Sequence, residues 1–91
     1  MSGATAHGVK ASISSTAVPL TSSTDRPSNG VTITALASNS GPVYIGIDGV
    51  TVSTGYPLAA GATSPPIGCV SPSDIYLIAA SGAQEVRWIT N

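Results

Sequence analysis

Glycine and proline recur every several residues along this chain, ten of one and seven of the other in 91 positions. That punctuation caps the length of any element. In a helix interior a glycine costs about 1 kcal/mol and a proline about 3 kcal/mol relative to alanine. No window carries the 3.6-residue apolar repeat that would offset such a loss. Between the breaks, apolar residues alternate with Ser and Thr, and β-branched residues are abundant. Short alternating segments between closely spaced turn signals predict an all-β fold. The expected form is a small single-domain β-sandwich or jelly-roll-like barrel with a flexible N-terminal arm. The arm is placed at residues 1–15 and the β-sandwich domain at 16–91, with no internal repeat and no linker between domains.

Residues 1–8 are small and polar and read as flexible, and Val9, Ala11 and Ile13 alternate as a strand or strand-like arm. Residues 17–20 form a short strand that Pro19 confines to an edge. A polar loop at 21–30 closes on Asn29-Gly30. Residues 31–37 alternate as a strand packed mainly on one face, and 38–42 turn. Val43 to Ile47, Asp48-Gly49, and Val50 to Val52 then read as a hairpin with a two-residue type I′ turn. That register opposes Ile47 to Val50 and Ile45 to Val52, with all four side chains on one face. Gly46, on the opposite face, leaves room for a bulky neighbour. Residues 55–61 bend into a short segment, and 64–68 are extended and edge-like. Residues 75–80 are apolar on both faces, so this strand is central in a sandwich or lies at an interface. Residues 81–83 turn into a last strand, 85–90, where Val86 and Trp88 share a face.

Composition narrows the function. Charged residues are 8% of the chain and the net charge is −1. Lys10, Arg26 and Arg87 are the only cations, too few and too scattered for the phosphate contacts that hold a nucleic-acid binder. Eight Val, eight Ile and four Leu, with no Phe and one Trp, make a thin core for 91 residues. A small domain with such a core needs a staple. The single cysteine, Cys69, cannot form an internal disulfide and is expected as a reduced, packed thiol. A homo-oligomer or an assembly component is therefore expected, since a sheet protein this poor in charge would be poorly soluble with bare faces.

Catalytic constellations are sparse. His7 is the only histidine, and neither it nor Cys69 has the neighbouring ligands a metal site needs. Asp48 belongs to its turn, and Asp25 and Asp74 lie in loop contexts that favour Asp. One His in a mobile arm makes a Ser-His-Asp triad implausible, and no Gly-rich phosphate loop follows a strand and opens a helix. The sequence predicts no enzyme, no metal and no cofactor. The N-terminus lacks a cationic stretch followed by an apolar core, so no signal peptide is expected. The longest apolar run, residues 75–80, is too short to span a bilayer, so no membrane partner is expected and synthesis is placed in the cytoplasm. Recognition falls to the aromatics. Trp88 and Tyr76 are expected to fill the core or an oligomer interface, while Tyr44 points away from the Ile45 face as an exposed contact. Together with Tyr56, and with Val9 and Ile13 of the arm, these are the candidate interface residues.

One stretch carries a resemblance. The run from Gly41 through Val43-Tyr44-Ile45-Gly46 to Thr51 leads into Gly55-Tyr56-Pro57-Leu58 to Gly61. Asp74-Ile75-Tyr76-Leu77-Ile78 to Gly82 and Val86-Arg87-Trp88 follow. In that order they resemble small virion structural proteins of tailed bacteriophages, over about two thirds of the chain, residues 31–90. The segment before residue 30 matches no pattern, and Pro65-Pro66 replaces a more regular strand. The resemblance implies a β-sandwich or jelly-roll-like module in which the last two segments form a hairpin. It also implies a capsid decoration, or cement, protein. Such a protein would be a homotrimer on the outer capsid lattice, with the major capsid protein as partner, held by its N-terminal arm and an apolar sheet face. The alternatives are a neck, tail or fibre structural protein, or a tail-tip carbohydrate- or receptor-binding module using Tyr44, Tyr56 and loop hydroxyls.

Overall fold

The computed structural model describes residues 7–22, 30–68 and 72–90. Seven strands follow in order: β1 His7–Ile13, β2 Val18–Pro19, β3 Val31–Ala35, β4 Val43–Gly46, β5 Tyr56–Leu58, β6 Tyr76–Ala79 and β7 Gln84–Thr90, with a single 3-10 turn at Pro72–Asp74 before β6. They pair antiparallel into a three-stranded sheet, β1-β7-β3, and a four-stranded sheet, β2-β6-β4-β5. The chain is an all-β single domain, a β-sandwich.

Period-2 burial explains why these segments are strands. In β3, Val31, Ile33 and Ala35 are fully buried while Thr32 and Thr34 are only half-buried. In β7, Gln84, Val86, Trp88 and Thr90 face inward, and Arg87 and Ile89 face water. The two inner faces meet in one core that also takes Ile13, Val43, Ile45, Leu58, Leu77 and Ala79. β6 is central, between β2 and β4, as its two apolar faces require. Trp88 sits mid-sheet between Ile33 and Gly8, and a Cβ on Gly8 would lie only 3.0 Å from its ring. The large indole therefore fills the space that the glycine leaves open.

Two expected pairings are corrected. The Asp48-Gly49 turn exists, closed by Val50 N–H donating to the Ile47 carbonyl at 2.9 Å. It is not type I′, which needs positive φ at both central residues; only Gly49 has it. Val50 to Val52 does not return as a strand. β4 pairs with β5 instead, Val43 opposite Leu58 and Ile45 opposite Tyr56. The reason lies on the outer face. A Cβ on Gly46 would be 2.5 Å from Cγ2 of Val50, so Val50 occupies the place of the missing side chain, on the face opposite Ile45. A second turn follows, in which Gly55 N–H donates to the Thr51 carbonyl. Ile47 and Val52 are left exposed, at 74% and 40%.

The second correction concerns the hairpin implied for the last two segments. β6 already has partners on both sides, so β7 cannot pair with it and crosses to the other sheet. The crossing is fixed by side chains. Gln84, buried at the start of β7, accepts from Ser40 N–H at 3.0 Å and donates to Ser40 Oγ at 2.9 Å and to the Ser81 carbonyl at 2.8 Å. Asn39 caps the next residue, donating to the Glu85 carbonyl and accepting from its N–H, both at 2.9 Å.

The sheet edges are treated unequally. The extended segment at 61–67 runs antiparallel along β3, with reciprocal hydrogen bonds of 2.8 Å between Val31 and Ile67. β2 carries Pro19 and β5 carries Pro57, each an edge residue that cannot donate. β1 is the longest edge, seven residues with no proline. Its register shifts between Lys10 and Ile13, where Ser12 takes a φ of 60°. Residues 7–13 of the segment expected as an arm are thus a strand of the sheet, and residues 1–6 lie outside the described residues.

Candidate docking surfaces

A concavity lies where the end of β4 and the starts of β5 and β6 meet residues 65–68. Ile45 and Ile75, core residues near the ends of β4 and β6, form its floor. Pro65 and Ile67, from the segment along β3, form one wall, and Ile47 and Tyr56 form the opposite lip. The cleft holds about 400 Å³, within the range of pockets that seat an apolar ligand or an anchoring side chain. At its lip Tyr56 is 54% exposed, and Ile47 is still more exposed. Both sit there for local reasons. Ile47 is the first residue past β4, where the turn carries the chain off the sheet, and Tyr56 begins β5 opposite Ile45.

A second apolar surface lies on the outer face of the three-stranded sheet. Val9 stands opposite Arg87, and His7 opposite Ile89, so Val9 and Ile89 are diagonal neighbours on adjacent strands. They are 54% and 46% exposed. A third cluster lies on the outer face of the four-stranded sheet. Tyr44, opposite Ile78, shares this face with Tyr76, opposite Gly46, and Val50 lies over Gly46. Gly55 is pressed against Tyr44 and Val50, so the loop after β4 covers much of the cluster, and Val50 and Ile78 are buried.

The six interface candidates therefore separate. Ile13 and Trp88 are core residues, with 0% and 7% exposure, and present almost no surface. Tyr44 and Tyr76 are half-buried on one outer face. Val9 is exposed on the other outer face. Tyr56 stands apart from Tyr44: adjacent along β4 and β5 but pointing to opposite sides, the two make no common stacking platform. Ile47 and Ile89 were not among the candidates. The first reads as a buried hairpin residue in an alternating pattern, and the second as an ordinary strand residue. Nothing local marks either as exposed. Asp25, Arg26 and Cys69 lie outside the described residues. Among the described residues, no three His, Cys, Asp or Glu side chains converge as they would around a metal ion. Among the described residues an ion pair, Arg87 Nε to Glu85 Oε2 at 3.4 Å, lies on the exposed face of β7.

No protein-family profile, no curated protein and no solved structure matches this chain.

Proposed function

We propose that the chain is a virion structural protein, a capsid decoration protein of a tailed bacteriophage that binds the outer lattice of the major capsid protein and stabilises it. The observation that carries the reading is the apolar cleft with its exposed lip, Ile47 and Tyr56. An exposed aromatic and an exposed aliphatic flanking an apolar socket form the kind of centre around which protein interfaces concentrate their binding energy. The separate Val9 and Ile89 surface adds a second contact, which suits a module that touches both the lattice and a neighbouring copy. The sequence resemblance of residues 31–90 supplies the class of partner. Low charge suits permanent assembly better than a freely soluble tip.

The mechanism needs no chemistry. A protein that binds the assembled lattice and not free capsid subunits stabilises the shell by mass action. Many copies on a repeating surface make the effect large even where each contact is weak. The glycan-binding alternative receives less support, because Tyr44 and Tyr56 point to opposite sides of the sheet. The test is saturable binding of the purified protein to undecorated capsids of the phage that encodes it. Ile47→Asp with Tyr56→Ala is expected to lower that binding at least tenfold while the fold stays intact. Unchanged binding by the double variant, or no binding by the unaltered protein, overturns the reading.

A further inference from the structure

We infer that β1 is an assembly edge, and that residues His7 to Ala11 pair antiparallel with the same residues of a second copy, Val9 opposite Val9, joining two three-stranded sheets into one of six. An unpaired strand edge presents a row of backbone N–H and C=O groups, so its natural occupant is another extended backbone. Proteins normally blunt such edges with proline, short strands, bulges, charged side chains or a covering segment. Among the described strands, β2 is two residues long and ends in Pro19, β5 is three residues long with Pro57 at its centre, and β3 is covered by residues 61–67. β1 has only Lys10 and a bulge beyond it, which leave the stretch His7 to Lys10 regular. At β1 no described residue pairs with the outer side.

The occupant and the register follow from the strand itself. The bulge after Lys10 ends the regular part of β1, His7 to Lys10, and Val9 is the one large exposed apolar side chain within it. A twofold centred there lets each copy give and receive the same hydrogen bonds. On the outer face it brings together the two exposed Val9 side chains, with Arg87 of each copy flanking them from the outside. On the inner side it sets Lys10 of each copy opposite Gly8 of the other, so the two lysines do not face one another, and like charges directly opposite would destabilise the pair. A trimer would need a head-to-tail contact between two different open edges. With the other edges closed, the twofold pair is the arrangement the described edges allow.

The inference goes beyond capsid binding and concerns free protein in solution, so its failure leaves the cleft test untouched. The experiment places cysteine at Val9 in a Cys69→Ser background and compares it with cysteine at Ala83, an exposed turn residue. Opposed residues of an antiparallel pair have Cα atoms about 4.5–5.5 Å apart, within disulfide reach. Mild oxidation is expected to convert the Val9→Cys protein, and not the Ala83→Cys protein, into a covalent dimer. Sedimentation equilibrium of the unaltered chain is expected to show a dimer, and Val9→Lys, its fold checked by circular dichroism, to weaken association at least tenfold. Equal cross-linking at the two positions, a trimer, or a monomer up to roughly 200 µM overturns the inference.

Discussion

Gln84 is the clearest test of how the two sheets are held in register with one another. Its amide makes three hydrogen bonds, to Ser40 N–H, Ser40 Oγ and the Ser81 carbonyl, from a side chain only 2% exposed. These bonds fix the crossing from β6 to β7, where no backbone ladder can act because the strands belong to different sheets. A hydrogen bond contributes about 1 kcal/mol net, so the three together amount to about 3 kcal/mol. Ser40 and Ser81 are themselves exposed, and water can take over part of their bonding in the variant. Gln84→Ala is therefore expected to cost about 2 kcal/mol. In a domain of this size that lowers Tm by about 8–16 °C. Urea unfolding followed by fluorescence reads it directly, since Trp88 is the sole tryptophan and is buried in the core. Asn39→Ala removes the adjacent pair of bonds to Glu85, and the double variant is expected to cost less than the sum, because both side chains hold the same crossing. A Gln84→Ala protein within about 0.5 kcal/mol of the parent would refute the reasoning.

Other expectations follow from single contacts. Gly46→Val forces a side chain into the space held by Val50 and is expected to destabilise by about 1–3 kcal/mol, measured by urea unfolding; a neutral effect would mean that Val50 does not pack there. Gly8→Val drives a branched side chain against the Trp88 ring, whose nearest carbon would be 3.0 Å from the new Cβ, and a red-shifted, more accessible tryptophan emission is expected. The indole Nε1 of Trp88 is buried without a hydrogen-bond partner among the described residues, so Trp88→Phe is expected to lose packing alone, and thermal melting is expected to show a cost below the 3–5 kcal/mol typical of truncating a core aromatic to alanine. Arg87→Ala removes only an exposed ion pair and is expected to change stability by less than about 1 kcal/mol in the same melts.

Much of the sandwich was legible because burial on one face writes a period-2 pattern. β3 and β7 alternate plainly, β6 is apolar on both faces, and Pro19 marks an edge. The long-range choices were not legible. Asp48-Gly49 is a turn in both the pattern and the structure, yet the partner of β4 is decided ten residues later by Tyr56-Pro57-Leu58 and by Val50 filling the gap at Gly46. Likewise nothing between β6 and β7 announces a change of sheet. The signal available was Gln84, a polar residue at an inward position, which had to find partners in a distant loop. The cleft was invisible for a related reason. Ile47 fits an alternating strand by sequence, and only the early end of β4 turns it into an exposed lip.

The central claim is the place of this protein on an assembled shell, and its copy number there tests that claim most directly. Quantitative mass spectrometry of purified virions would give the ratio of this chain to the major capsid protein. A ratio comparable to one is predicted for a decoration protein that covers the lattice. A few copies per particle would place the chain in the neck or tail, and its absence from the particle would contradict the account altogether.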